Sequence, residues 1–276
     1  MSPAPSRSLS FAHLVNPVRV GPASDLYAAQ PVTFESMRRA RDRAAAEGLS
    51  VTLLSAQYPE DRERVPSGFT PTPDLAFSSA DIGAFRVPRK LPLFADLLAR
   101  LYGGSPADIL VYTNVDIALQ PDFYLTVAGW LSGGADSAVV NRRTVAADPD
   151  QARDLEWLAA QPGERHRGYD CFVFRRGLLA DVDFGRLLIG VAGFGKTVVA
   201  ALSSLDPGFR LEKDAHLTFH INNDRPWRDE ALDDYWRFNL AEGHRVLDRL
   251  RERLGGLSPL AEELYRRQPS RFRQGL

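Results

Sequence analysis

Near the middle of the chain an apolar run, Asp108-Ile109-Leu110-Val111-Tyr112-Thr113, breaks off in Asn114-Val115-Asp116-Ile117, an amide and a carboxylate two residues apart. In extended backbone, residues i and i+2 point to the same side. Two oxygen donors on one side suit a hard divalent cation, Mg²⁺ or Mn²⁺, carrying a diphosphate. The same pair also reads as a strand-to-loop turn in which Asn and Asp only bend the chain. Further on, His216 and His220 lie four residues apart in the run 215–221, and His220 stands beside Asn222, Asn223 and Asp224. On one face of a strand the two imidazoles read either as hydrogen-bonded structural groups or as nitrogen donors. Asp170, close to Arg165, Arg167 and Arg175, reads as an ion-pair partner or as a general base.

A second string competes for the chemistry. Gly190-Val191-Ala192-Gly193-Phe194-Gly195-Lys196-Thr197 satisfies the GxxxxGK[ST] phosphate-loop pattern, between an apolar run at 184–189 and a helical one at 198–202. Strand, glycine loop and helix is the context that motif demands. Backbone N–H groups would then cradle phosphates, with Lys196 on the outer ones. Position argues against it. Such a motif sits on the first strand of an NTPase, ahead of a metal-binding Asp on a later one, whereas only about eighty residues follow here, mostly of helical pattern.

The elements that would carry these residues alternate. Residues 9–15 read as a first strand, ended by Asn16-Pro17 because proline cannot continue a ladder. A helix over 33–47, with Thr33 as cap and Gly48 as stop, returns a second strand at 50–55. A proline-bearing stretch at 59–89 is loop-like, and helical spacing resumes over 91–102, directly before the strand at 108–112. A helix at 122–131, a strand at 137–141, a helix at 151–160, a strand at 171–174 and a strand at 215–221 follow. From 229 on the pattern is helical, broken near Gly255-Gly256 and Ser258-Pro259. Alternation of this kind predicts an α/β fold with a mainly parallel central sheet covered on both faces.

Composition narrows the function. With 276 residues, 44% hydrophobic and 25% charged, the chain can bury the core of one large domain. A formal charge of -1 argues against a nucleic-acid partner, which needs a basic face. Cys171 is the only cysteine, so an intramolecular disulfide and a thiolate metal cluster are both excluded; inside an apolar run it reads as inert filler. The Ser- and Pro-rich residues 1–8 read as disordered. The sequence shows no apolar stretch long enough for a signal-peptide core or a membrane span, so the expected location is cytoplasmic. The basic end after Tyr265 reads as a solvated face, with peripheral contact to an anionic membrane as its alternative.

In the order of its pieces the chain resembles the GT-A fold nucleotide-diphospho-sugar transferases, over roughly 11–227. The resemblance is carried by Asn16-Pro17, by Ser24-Asp25-Leu26 with Gln30 and Thr33, and by Thr113-Asn114-Val115-Asp116-Ile117. It continues through Gly168-Tyr169-Asp170-Cys171-Phe172-Val173-Phe174, the glycines from Gly190 to Gly193-Phe194, and His220 with Asn223, Asp224 and Trp227. It implies a GT-A-like (Rossmann-like) domain over 9–228, with a helical extension over 229–276 and a sugar transferred from a nucleoside diphosphate sugar to an unknown acceptor. Asn114-Val115-Asp116 stands where the DxD metal motif lies. Asp116 and His220 become the metal ligands, Mn²⁺ suiting the imidazole better than Mg²⁺, while Asn114 offers an oxygen without charge. Asn16, Asp25, Gln30, Asn114, Asp116 and Lys196 fall on the donor side, and Asp170 and Asp224 on the acceptor side. Where related sequences place a carboxylate after the Gly-aromatic pair, this one has Gly195-Lys196, so a non-catalytic binding protein and a phosphate-loop protein stay as alternatives.

Overall fold

Strand β1 (Ser10–Val15) alternates strictly: Phe11, His13 and Val15 face one side and Ala12 and Leu14 the other, all fully buried. The structure, a computed structural model, describes residues 9–148, 150–222 and 230–266. The expected disordered octapeptide, the predicted Asn223, Asp224 and Trp227, and the basic end after 266 lie outside the described residues. After β1 come α1 (Asp25–Ala46), β2 (Ser50–Ser55), β3 (Thr70–Pro71), α2 (Phe94–Gly104), β4 (Ile109–Thr113), β5 (Ala118–Leu119) and α3 (Phe123–Ser132). Next are β6 (Ser137–Val140), β7 (Arg143–Val145), α4 (Leu155–Ala160), β8 (Glu164–Arg165), β9 (Cys171–Arg175) and α5 (Phe194–Leu205). The chain finishes with β10 (Arg210–Glu212), β11 (Thr218–Ile221), α6 (Asp233–Leu254) and α7 (Pro259–Arg266).

Seven strands form one sheet in the order β10-β6-β9-β4-β1-β2-β3, and four form a second in the order β5-β11-β7-β8. In the large sheet only β9 runs against its neighbours β4 and β6; the other pairings are parallel, as the alternation of elements predicts. Both faces are covered. One carries Leu14, Leu110, Tyr112 and Phe172 under α2 and α5, and the other carries Phe11, Val111 and Val173 under α1 and α3. Of the small sheet only β11 was legible, within the predicted strand at 215–221; β5, β7 and β8 have two or three residues, and no period can be read from so few positions.

Three elements differ from expectation. Helix α1 starts eight residues before Thr33 and runs through Pro31. Its first turns are tied down from outside, since the Gln30 amide donates to the carbonyls of Val18 and Leu26 and accepts from Val18 N–H. The region 151–160 is a 3₁₀ turn at Gln151–Arg153 followed by α4, whose start is fixed by Asp154 accepting from Trp157 N–H. The apolar run 184–189 forms no strand; it has a single bridge, Leu188 to Leu93. Its backbone is satisfied otherwise. Asn239 of α6, fully buried, accepts from Leu188 N–H and donates to the Leu188 carbonyl, both at 2.8 Å, while Phe94 N–H reaches the Leu187 carbonyl. One amide thus does what a neighbouring strand would do.

Removing that amide strands a buried N–H and a buried C=O, each costing about 1–3 kcal/mol. Asn239→Ala is therefore expected to lower the unfolding free energy by about 3 kcal/mol in urea titration; a loss under about 1 kcal/mol would mean that water or a shifted loop replaces it.

Candidate functional site

The predicted residues sit where the chain passes between the two sheets. After Thr113 it leaves the large sheet through Asn114-Val115-Asp116-Ile117 and enters the small one at β5, the Ile117 N–H closing a turn on the Asn114 carbonyl at 3.2 Å. After β6 it crosses again through Asn141-Arg142 to β7, and after β8 it returns through 166–170 to β9. Strand β11 lies between β5 and β7, with Phe219 beside Ala118 and His220 beside Thr144. Main-chain bonds fasten the crossings together: Asn114 N–H to the Asp170 carbonyl, and His166 N–H to the Arg142 carbonyl, both at 3.3 Å. The Asn141 amide adds a bond to the His166 carbonyl at 3.1 Å.

This packing brings Asp116 and His220 together, as expected. His220 Nε2 lies 2.9 Å from Asp116 Oδ2, and His220 Nδ1 lies 2.6 Å from the Asn222 carbonyl. The Asn222 carbonyl only accepts, so Nδ1 donates to it, which turns Nε2 toward the Asp116 carboxylate. Burial alone would raise the Asp116 carboxyl; the charge of His220 and its hydrogen bond outweigh that and, with Arg142 adding to them, hold it below the usual carboxylate range. Asp116 Oδ1 is buried and has no hydrogen-bond partner. That unused acceptor, beside an imidazole fixed by its other nitrogen, fits part of the shell of a divalent ion. Among the described residues no group of three His, Cys, Asp or Glu side chains completes such a shell.

Asp170 joins the cluster, but its cation is neither Arg165, Arg167 nor Arg175. Arg142 Nη1 lies 2.9 Å from Asp170 Oδ2, with both side chains about one-tenth exposed, and His166 Nδ1 lies 3.6 Å away. Arg165 instead pairs with Asp214, and Arg175 with Asp136 at 2.5 Å. Asn114 spans Tyr112 and Asp170: its Oδ1 accepts from the Tyr112 hydroxyl and its Nδ2 donates to Asp170 Oδ1, each at 3.3 Å. Burial pushes the Tyr112 phenol well above its ordinary range, and the charges of Asp116 and Asp170 both push it further. One phenol therefore feels both carboxylates. Arg142 is the residue sequence reasoning missed, although a cation directly after the apolar strand β6 obeys the same strand-end rule that picked out Asp116.

The remaining candidates divide. Asn16 follows β1, next to the β4 end in the parallel register of the two strands. Gln30 is spent on the loop after β1 as described, and Asp61, buried, accepts from Arg19 N–H in the same loop at 2.7 Å; these residues shape the loop. Asp25 is the first residue of α1. Lys196 is exposed in the first turn of α5 and forms no ion pair among the described residues. The phosphate-loop reading meets two obstacles besides the missing strand. Thr197 is buried and its hydroxyl donates to the Gly193 carbonyl at 3.1 Å, facing Gly243 of α6, where an added Cβ would lie 2.5 Å from it. A P-loop threonine must instead turn its oxygen to Mg²⁺. His216 does not share a strand face with His220, since β11 begins at Thr218 and His216 has φ 44. Cys171 is fully buried and its thiol is pushed up by that burial, as inert filler should be.

No protein-family model matches this sequence, and no curated protein does. Solved structures match by fold. One is S. aureus TarS, residues 1–349, in complex with UDP-GlcNAc: TM-score 0.51, 9% identity, 85% of this chain and 66% of that one. Another is the mannosyltransferase PcManGT from Pyrobaculum calidifontis in complex with GDP-Man and Mn²⁺: TM-score 0.51, 14% identity, 96% of this chain and 70% of that one. The chain thus spans about two thirds of the length of each. The expected fold, a GT-A-like α/β architecture found in glycosyltransferases, is the fold of this chain.

Beneath the site, His13 of β1 braces the end of β4, with Nε2 2.9 Å from Thr113 Oγ1 and Nδ1 2.9 Å from the Tyr124 hydroxyl. Burial pushes its pKa from 6.5 down to about 3. Between those values the unfolded chain binds the extra proton, so this stability is full above about pH 6.5 and is lost as pH falls toward 3. From pH 7.5 to 5 the loss is about 2 kcal/mol, at about 1.4 kcal/mol per pH unit once below 6.5. Urea titrations of wild type and His13→Gln over that range should diverge by this amount; parallel pH curves would refute it.

Proposed function

We propose that the chain is a glycosyltransferase that moves a sugar from a nucleoside diphosphate sugar to an acceptor hydroxyl, with donor and acceptor meeting at the seam between the two sheets. The observation that carries this is the convergence of Asp116 and Asn114 from one crossing, Asp170 from another and His220 from strand β11, all far apart in sequence, on the carboxyl-terminal edge of β4. Ligands in open α/β sheets bind at that edge. The fold adds support, since the two structural neighbours carry UDP-GlcNAc and GDP-Man with Mn²⁺. We read 9–228 as the donor-binding domain and 229–276 as a helical extension, whose described helices α6 and α7 pack on α5, acting in the cytoplasm.

In this reading Asp116 through Oδ1 would hold Mn²⁺ or Mg²⁺, and His220 would join through an unprotonated Nε2, giving up its hydrogen bond to Asp116 Oδ2. Such an ion supplies Lewis-acid neutralisation of a departing diphosphate. The loop after β1, shaped by Gln30 and Asp61 and carrying Asn16, lies on the nucleoside side, with Asp25 at its far end and Lys196 available to a phosphate or an acidic acceptor. Asp170 takes the acceptor proton. Its Oδ2 is buried and has no hydrogen bond, only Arg142 at 2.9 Å and the His166 imidazole at 3.6 Å, so it keeps acceptor capacity for a proton. Asp224 is assigned to the acceptor side through the resemblance alone.

A ligand bound only by the native state at about 100 times its Kd stabilises it by about 2.7 kcal/mol, roughly 5 °C or more for a chain of this size. UDP- and GDP-sugars with Mn²⁺ should raise Tm by this much, and ATP or GTP should not. Asp116→Ala should abolish the Mn²⁺-dependent part of the shift while the protein stays folded. An ATP or GTP response lost in Lys196→Ala, or an unchanged donor response in Asp116→Ala, would sink the reading.

A further inference from the structure

We propose that Asn114 is a positioning residue for Asp170 and not a weakened metal ligand; this rests on the reading that Asp170 faces the acceptor. The register of β4 on β9 pairs Thr113 with Cys171, so the next step along the ladder sets Asn114 opposite Asp170. Asn114 N–H indeed reaches the Asp170 carbonyl. Residues directly opposite one another on antiparallel strands interact through their side chains, and like charges there are destabilising. An aspartate at 114 would stand against the Asp170 carboxylate.

The amide uses both of its ends. Nδ2 donates to Asp170 Oδ1 and Oδ1 accepts from the Tyr112 hydroxyl. The carboxylate decides which way the amide is turned, because the reverse orientation would set oxygen against oxygen. Tyr112 is fully buried, so drawing Asn114 Oδ1 to a cation would strand a buried hydroxyl. From the other side Arg142 Nη1 holds Asp170 Oδ2. The carboxylate is thus gripped by one amide donor and one guanidinium, which fixes the direction of its free lone pair. Asp116, two residues on, has left the ladder and carries the unused Oδ1. Asparagine at 114 is what the pairing with Asp170 requires, and the metal-binding role contracts to Asp116.

The test compares Asn114→Ala, Asn114→Asp, Asp170→Asn and the two double variants by urea unfolding, and measures Mn²⁺ affinity by titration calorimetry. Asn114→Ala and Asp170→Asn should fail to multiply, their combined effect on the folding constant departing from the product by at least about five-fold, as coupled neighbours do. Asn114→Asp should lower the folding constant at least five-fold in the parent but under two-fold in the Asp170→Asn background, where the opposing charge is gone. Mn²⁺ affinity should fall less than three-fold in Asn114→Ala and more than ten-fold in Asp116→Ala. Independent effects, an Asn114→Asp cost that persists without Asp170, or a ten-fold Mn²⁺ loss in Asn114→Ala would overturn the assignment. Absence of Mn²⁺ and nucleotide-sugar binding in the wild type would overturn the functional reading instead, while the folding cycle still decides the pairing.

Discussion

The site depends on one topological constraint: the chain passes five times between a large sheet and a small one, and three of those crossings, after β4, after β6 and after β8, are fastened to one another. Buried strands leave no room for unpaired polar groups, so β4 is apolar up to Thr113, whose hydroxyl meets His13, β6 is apolar after Ser137, and further polar atoms gather in the crossings. Each crossing then has donors and acceptors to satisfy. Asn114 N–H, His166 N–H and the Asn141 amide are spent on tying the crossings to one another. What is left over in these crossings is Asp116 Oδ1, Asn141 Oδ1, Arg142 Nε and Asp170 Oδ2, all buried and without a hydrogen bond.

Charge is balanced within that space by the chain itself. A buried carboxylate persists in ionised form only with a cation or several donors at hand. Asp116 has His220 and Asp170 has Arg142, each at 2.9 Å. The pairs are supplied by different crossings, so neither carboxylate can be accommodated unless the small sheet is docked on the large one. Formation of the site and closure of the seam are thus one event.

Helix α6 reaches the same region from the other side. Asn239 satisfies Leu188, and Glu242, almost fully buried, is paired with Arg186 and Arg245. These contacts hold the backbone of 184–193 in a non-strand path, which sets where α5 begins. Gly193 caps that helix with φ 100, a left-handed conformation that a side chain would strain. Gly195 lies so close to the Tyr169 carbonyl that an added Cβ would stand 2.6 Å from it. The glycine string is therefore a packing device for α5 against the segment carrying Asp170, which is why it matches a phosphate-loop pattern without the strand that pattern needs.

The sequence by itself determined the longer elements and their order: β1, β2, β4, β6, β9, β11, α2, α3 and α6 were all legible, because four or more residues of one period carry their own signal. It also marked Asp116, Asp170 and His220, since polar residues after, before or within apolar runs stand out. Only the tertiary structure decided which of these meet and which cation each carboxylate keeps. Three of the small sheet's strands, β5, β7 and β8, are too short to read, and Arg142 finds Asp170 across a gap in sequence that no local pattern spans. The early start of α1 and the missing strand at 184–189 have the same cause: side chains from elsewhere, Gln30 bonding Val18 and Asn239 bonding Leu188, override what the local residues would choose. Hydrophobic period is a property of neighbours along the chain, whereas pairing of buried polar atoms is a property of neighbours in space.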